Sequence, residues 1–260
     1  MPINPATGTL QQQSPIIKKA ATFTRPADTT QYAAGDAVAP ATVAISGATN
    51  ASPIVVTTSA PHLLNNDDRV FIAGVVGNTN ANGIRKVKVL TSTTFSLLNE
   101  KTGAAIAGNA AYVSGGTVQP ILRLDSVVPT PGGSGGIVAV RLQVKNGTVT
   151  LGTFRVRIFS RPVNQIADNA AFTLLDANRD YRQGYIDLTI LTTDGAGSDS
   201  SEVNVQLAQP LPFVCESDRT DLFIQITALG AFTPSSGETY RVELTIRRNE
   251  VASAFKVAGS

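Results

Sequence analysis

The chain has 260 residues and a formal net charge of +2, enough length for one large β domain or two smaller ones with real cores. Charged residues make up 15% and hydrophobic residues 42%, which excludes a chain disordered throughout and leaves no electrostatic footprint for a nucleic acid. The one cysteine, Cys215, excludes an internal disulfide framework.

Residues 1–20 read as an extended N-terminal arm. Pro2, Pro5, Pro15 and the run Gln11-Gln12-Gln13 offer little to bury. Such an arm is either a disordered tail or a segment that orders on a neighbouring subunit. It has no apolar run of the signal-peptide kind, and no stretch of the chain reaches the length of a membrane span. The expectation is a protein made in the cytosol, with no membrane partner.

Small and β-branched residues dominate, Trp is absent and Met occurs only at position 1. That composition predicts strands joined by turns. Residues 21–40 mix a short extended piece at 22–24 with turns, and Pro26 ends it.

Residues 41–119 change character. Short strands are expected at 43–45, 53–58, 69–72, 84–89, 94–98 and 112–113, separated by turns rich in Asn, Asp and Gly. Such spacing suits a small barrel or sandwich. His62 follows Pro61 in one of these turns, where a structural role is expected, since a metal ligand would need partners that the chain does not supply.

Residues 120–250 are expected to form the main β domain. The run from Pro129 to Gly136 reads as a surface loop. Val138, Val140, Leu142 and Val144 then alternate with Ala139, Arg141, Gln143 and Lys145, the pattern of a sheet with one wet face. Asn146-Gly147 predicts a two-residue hairpin with its partner strand at 148–150. Further alternating runs centre on Val156, Leu188, Val205, Ile224 and Leu244. Phe223 lies on the face opposite Leu222 and Ile224, so that strand is either buried on both sides or part of a contact surface. One short helical turn is expected within 168–175, with Asp168 as its N-cap. Residues 251–260 read as a C-terminal tail. The fold class is therefore all-β: an antiparallel, jelly-roll-like sandwich of residues 21–40 plus 120–250, carrying an inserted small barrel at 41–119.

Catalytic signatures are weak. Asp176-Ala177-Asn178-Arg179-Asp180 opens like a calcium loop and Asp187 falls twelfth, but Tyr181 stands where the turn needs Gly and Asp replaces the bidentate Glu. Asp187, Glu202 and Asp221 could supply a glycosidase pair, but sequence spacing does not place any pair, and with no Trp and five Tyr a sugar-stacking platform is poorly supplied. The Gly run 132–136 lacks the trailing Lys of a phosphate loop. Arg247-Arg248 reads as a solvated strand end. Cys215 reads as a small buried hydrophobe, far in sequence from His62. No cofactor and no metal is expected, and the chain reads as a non-enzyme.

Two segments resemble known families. Residues 45–99, with the apolar strand Ile54 to Thr58, the turn Ala60-Pro61-His62-Leu63, the strand Asp68 to Ile72, Asn82-Gly83 and the closing Thr94-Phe95-Ser96-Leu97, resemble a small β-barrel module of phage virion proteins. That module is similar to the first catalytic-cysteine half-domain of ubiquitin-activating enzymes, and the resemblance implies a fold and not adenylation chemistry. Phe23 to Thr30, Tyr32, Gly35-Asp36, Ile121 to Leu124, Phe154 to Phe159 and Ala167 to Phe172 resemble a class of phage structural proteins. This implies a virion component on the capsid surface, foremost a decoration (cement) protein. It would bind the major capsid protein or other virion subunits and form a homo-oligomer, a trimer ahead of a dimer. A tail, neck or fibre-attachment protein is the alternative, and a carbohydrate-binding or hydrolytic module a distant third. Phe23, Arg25, Asp28 and Tyr32 are the expected contact residues. The competing reading gives Phe23 and Tyr32 to the core and pairs Arg25 with Asp28.

Overall fold

In a computed structural model, which describes residues 15–145, 152–189, 191–193 and 199–249, the chain is almost entirely antiparallel β. Two strands precede the barrel: β1 (Ile16–Thr24) and β2 (Ala37–Val38). The barrel itself is built from β3 (Val43–Ala48), β4 (Val55–Thr58), β5 (Arg69–Ala73), β6 (Gly83–Val89), β7 (Thr94–Asn99) and β8 (Thr117–Pro120). After it come β9 (Arg123–Leu124), β10 (Ser134–Lys145), β11 (Phe154–Phe159), β12 (Arg182–Leu188), β13 (Thr192–Thr193), β14 (Ser200–Val214), β15 (Leu222–Ala228) and β16 (Thr239–Arg248).

Two sheets face each other. One has the order β1-β16-β10-β14-β13; the other runs β12-β11-β15-β2, with β9 also pairing β15. Apolar residues from both inner faces, among them Val140, Leu142, Val156, Ile224, Val242 and Leu244, make one shared core. The chain passes from sheet to sheet at β1–β2, β9–β10, β10–β11, β12–β13, β14–β15 and β15–β16, as a jelly-roll-like sandwich requires.

The wet-face alternation holds along β10 from Val140 to Val144, but not before it. Against β16, Ile137 pairs with Ile246 and Ala139 with Thr245, so Val138 is one residue too many. This bulge lets Ile137 and Val140 both enter the core, and Val138 does not. Gly135 and Gly136, expected in a loop, begin the strand. A Cβ on Gly135 would lie 2.8 Å from the Phe213 ring, and one on Gly136 would lie 2.8 Å from Pro210.

β3 to β8 close into a six-stranded barrel in the order β3-β4-β7-β6-β5-β8, around Ile54, Val56, Val70, Ile72, Phe95 and Leu97. β8, absent from the sequence expectation, closes it by pairing with both β3 and β5. The strand expected at 112–113 does not form. Instead the Tyr112 hydroxyl donates to the carbonyls of Ile45 and Gly115. Ile84 and Val87 are an odd number of positions apart, so they point to opposite faces. Val87 fills the barrel, whereas Ile84 joins Phe71 against the sandwich residues Phe159, Val163 and Phe223. Phe223 is thus buried between sandwich and barrel, and β15 is buried along its whole length.

Two expectations need correction. Residues 16–20 are no arm: they are the first half of β1, paired residue for residue with β16. Ile17 and Ala21 supply the inward face that makes the pairing favourable. Residues 168–175 hold no helix; the short 3-10 turn lies at Asp176–Tyr181, because the Asp168 carboxylate is already engaged by other partners. The hairpin at 146–150, residues 1–14 of the expected arm and residues 251–260 lie outside the described residues. β11, which follows residue 151, belongs to the opposite sheet from β10.

Candidate protein-docking edge

Three of the four expected contact residues are interior. Phe23 stacks on Tyr240 with ring centroids 5.3 Å apart. Arg25 is 1% exposed and Tyr32 fully buried. The Arg25 Nε–H donates to the Tyr32 hydroxyl (2.9 Å), which in turn donates to Asp168 Oδ1 (2.7 Å). Arg25 Nη2 reaches Asp28 Oδ1 at 2.9 Å and Asp168 Oδ2 at 3.3 Å, and Nη1 donates to the Ser235 carbonyl at 3.1 Å. Asp168 also accepts the Ala39 N–H at 2.8 Å. Burial pushes the Asp168 carboxyl above the usual carboxylate range, against its hydrogen bonds and Arg25. Burial, with Asp168 beside it, also pushes the Tyr32 hydroxyl up. Asp28, whose side chain keeps 45% exposure, is held low first by the Thr30 N–H and then by Arg25. These residues brace the segment before the barrel to the segments after it. Arg25 and Tyr32 are locked inside that brace and offer almost no surface to a partner of the folded chain, so these two are not the contact surface; Phe23 turns its ring into the core and keeps 7% exposure.

Among the described residues no strand pairs with the outer edge of β1. In an antiparallel pair, alternate residues turn both backbone groups toward the partner strand and the rest turn them away. Arg25 N–H bonds the Glu238 carbonyl and Arg248 N–H bonds the Pro15 carbonyl, whereas the Thr24 carbonyl accepts from Ala41 on the other side. Odd positions therefore face β16, and Ile16, Lys18, Ala20 and Thr22 present N–H and C=O groups outward. β1 ends its sheet, so this row is a template for another strand. Lys18 pairs with Glu243 at 3.3 Å on the wet face.

A groove of about 700 Å³ runs beside the second half of this edge. Residues 20–24 form one wall, Ile121 and Leu122 the floor and the barrel turn at 61–65 the far wall. His62 builds that turn. Its Nδ1 accepts the Leu64 N–H at 3.0 Å, so the proton sits on Nε2, 3.0 Å from the Thr91 carbonyl. The ring meets Phe95 edge-on at 5.2 Å. The turn holds Leu63 at φ +56° with 89% exposure, an apolar side chain in a left-handed backbone that costs about 1–2 kcal/mol. Leu90, 49% exposed, directly precedes Thr91, whose carbonyl meets the His62 ring.

A charged cluster fixes the barrel on the sandwich and so sets the groove's width. Glu100 of the barrel accepts from Arg69 Nε at 3.2 Å and from Arg219 of the sandwich. Arg123 lies 2.8 Å from Asp125 and 3.6 Å from Asp221. Burial raises the Asp221 carboxyl despite Arg219 and Arg123.

The other sequence motifs do not converge. Asp176 pairs with Arg179 at 2.9 Å, while Asp187 is clamped by Arg155 at 2.6 and 2.7 Å on the strands, so the calcium-like spacing assembles no cage. Among the described residues no group of three or more His, Cys, Asp or Glu side chains is placed to hold a metal ion. Asp187 lies on one sheet and Glu202 on the other, where it binds Arg141. Arg248 is no free strand end: it donates to the carbonyls of Ser126 and Val127. Cys215 is buried, its thiol 3.6 Å from the Asp221 carbonyl.

Sequence reasoning missed the β1 edge because the run Ile16-Ile17-Lys18-Lys19 does not alternate. It missed Leu63 because nothing in Pro61-His62-Leu63-Leu64 marks which leucine turns outward. No protein-family profile matches the chain, and a search of curated proteins finds no match.

Proposed function

We propose that this chain is a non-catalytic structural protein of a phage virion that works by adhesion, foremost as a decoration (cement) protein on the capsid. The observation that carries the reading is the open β1 edge beside a groove, flanked by the projecting Leu63. Main-chain hydrogen bonds along an edge and apolar side chains set in a neighbouring groove are the elements of strand-addition binding. The likeness of the barrel and of the sandwich segments to phage structural proteins supports the virion setting.

The mechanism needs no strong single contact. Many copies on a symmetric shell act together through effective concentration. A protein that binds the assembled shell and not its free subunits stabilises the shell by mass action.

The test is to incubate the purified chain with emptied phage shells lacking it, sediment them and count copies by micrograph and gel density. High copy number at regular surface positions, with shells that withstand more heat, is expected. Binding at a single vertex or on the tail instead favours the tail or neck reading. No binding to any virion part overturns both.

A further inference from the structure

The edge of β1 and the chain that leads into it match in length. Residues 6–14, between Pro5 and Pro15, form a proline-free stretch of nine residues, and β1 has nine. At roughly 3.3 Å per residue either spans about 30 Å. Proline has no N–H to donate to a ladder, so Pro5 and Pro15 mark the natural limits of an added strand. The stretch carries no charge, and Leu10 is its one large apolar residue.

We propose that residues 6–14 of a second copy add to the outer edge of β1 as an extra strand, with Leu10 over the groove floor at Leu122, so that copies link arm to edge. The inference rests on the adhesive reading above and names the partner for this edge. The shell is left to the projecting Leu63.

Three observations favour a second copy. The outward groups of Ile16, Lys18, Ala20 and Thr22 end at Thr24, where Ala41 takes the carbonyl, so the open edge fits within the reach of the stretch. Leu122 is 6% exposed at the base of the groove, a place for one apolar side chain. The Pro15 carbonyl still bonds Arg248, so Pro15 itself is in the line of β1, at the end from which a segment would have to turn back to reach its own edge. Folding back onto that edge would use residues 11–14 in the reversal and halve the pairing. A head-to-tail contact of this kind gives a ring or a reciprocal pair where the rotation closes and an open filament where it does not.

Two variants separate arm from edge. Deletion of residues 2–14 keeps the edge and removes the arm. Ala20→Pro keeps the arm and removes an outward N–H that β16 does not use. Sedimentation velocity without particles is expected to show the full chain as an oligomer, each variant alone as a monomer, and their mixture as a one-to-one heterodimer. Leu10→Asp in the full chain should weaken association by roughly tenfold or more, since it removes the burial of one leucine. If Ala20→Pro loses its β circular dichroism, Thr22→Pro blocks the next outward N–H.

A monomeric full chain, a deletion variant that still assembles, or a mixture that stays monomeric each overturns the proposal. A deletion variant that assembles while Ala20→Pro does not means β1-to-β1 pairing. A monomeric full chain destabilised by the deletion means that the arm lies on its own edge. Shell binding is read separately, so failure here leaves the adhesive function standing, and failure of shell binding leaves the oligomer.

Discussion

Tyr32 donates its hydroxyl proton to the Asp168 carboxylate at 2.7 Å, across 136 residues of sequence. Arg25 completes the unit by contacting both. The barrel lies between the two halves of this brace in sequence, so the brace closes the sandwich around its insertion. Arg25→Met would leave Asp168 buried without its counter-charge and is expected to cost about 3–5 kcal/mol. Tyr32→Phe is expected to cost about 1–3 kcal/mol through the unsatisfied acceptor. Urea unfolding measures both. Because these side chains are interior, shell binding by the folded fraction should not change. An Arg25→Met variant of unaltered stability that binds shells poorly would return Arg25 to the contact surface.

The sequence and the structure agree where burial alone decides the outcome. The alternation at 240–246 and at 154–158 marks core strands because one face meets the core and the other meets water. They part where a pairing partner decides. Val138 looks like a core residue, and only its register against β16 exposes it as a bulge. Thr117–Pro120 is polar and ends in proline, and it becomes a strand because β3 and β5 leave a gap there. Arg25 does pair with the partly exposed Asp28, but it reads as a surface charge and is buried, since nothing local reveals that Asp168 arrives from the far side of the barrel. The docking edge is defined by an unfilled position, which no residue pattern encodes.

Asp221 gives a pH signature to the joint between barrel and sandwich. Burial raises its carboxyl above the ordinary value, against the pull of Arg219 and Arg123. A raised carboxyl contributes stability below the unfolded value, about 4, and that contribution is lost as pH rises through the folded value. Asp221→Asn stays neutral at every pH. The stability of Asp221→Asn relative to the parent should therefore climb from about pH 4 toward neutrality. Denaturant midpoints at several pH values read this difference. A relative stability that falls over the same range would mean that the arginines outweigh burial.

The boundary of the N-terminal segment separates two truncations. Deleting residues 2–14 should leave the melting temperature of the folded unit within a few degrees once oligomerisation is accounted for by dilution. Deleting residues 2–20 removes the Ile16 to Ala20 half of β1, including the inward Ile17. It exposes the edge of β16 and is expected to cost several kcal/mol, of the order of burying one or two large aliphatic side chains. Scanning calorimetry distinguishes the two. Equal melting of both truncations would show that β1 contributes nothing to the sheet.

Leu63 sets stability against adhesion. Its left-handed backbone, φ +56°, is one that Asn adopts more readily than Leu, and its 89% exposed side chain buries almost nothing in the free chain. Leu63→Asn should therefore stabilise the isolated protein by about 0.5–1 kcal/mol, a rare direction for a substitution of a large apolar residue. If Leu63 is buried on binding, the same change should weaken attachment to shells, because the apolar contact is lost. Strained residues at functional sites behave in this way, since the strain is tolerated for what the side chain does. Thermal unfolding of the free chain and shell co-sedimentation at matched concentration give the two readings. A variant that is both more stable and equally adhesive would remove Leu63 from the contact and leave its strain without a function.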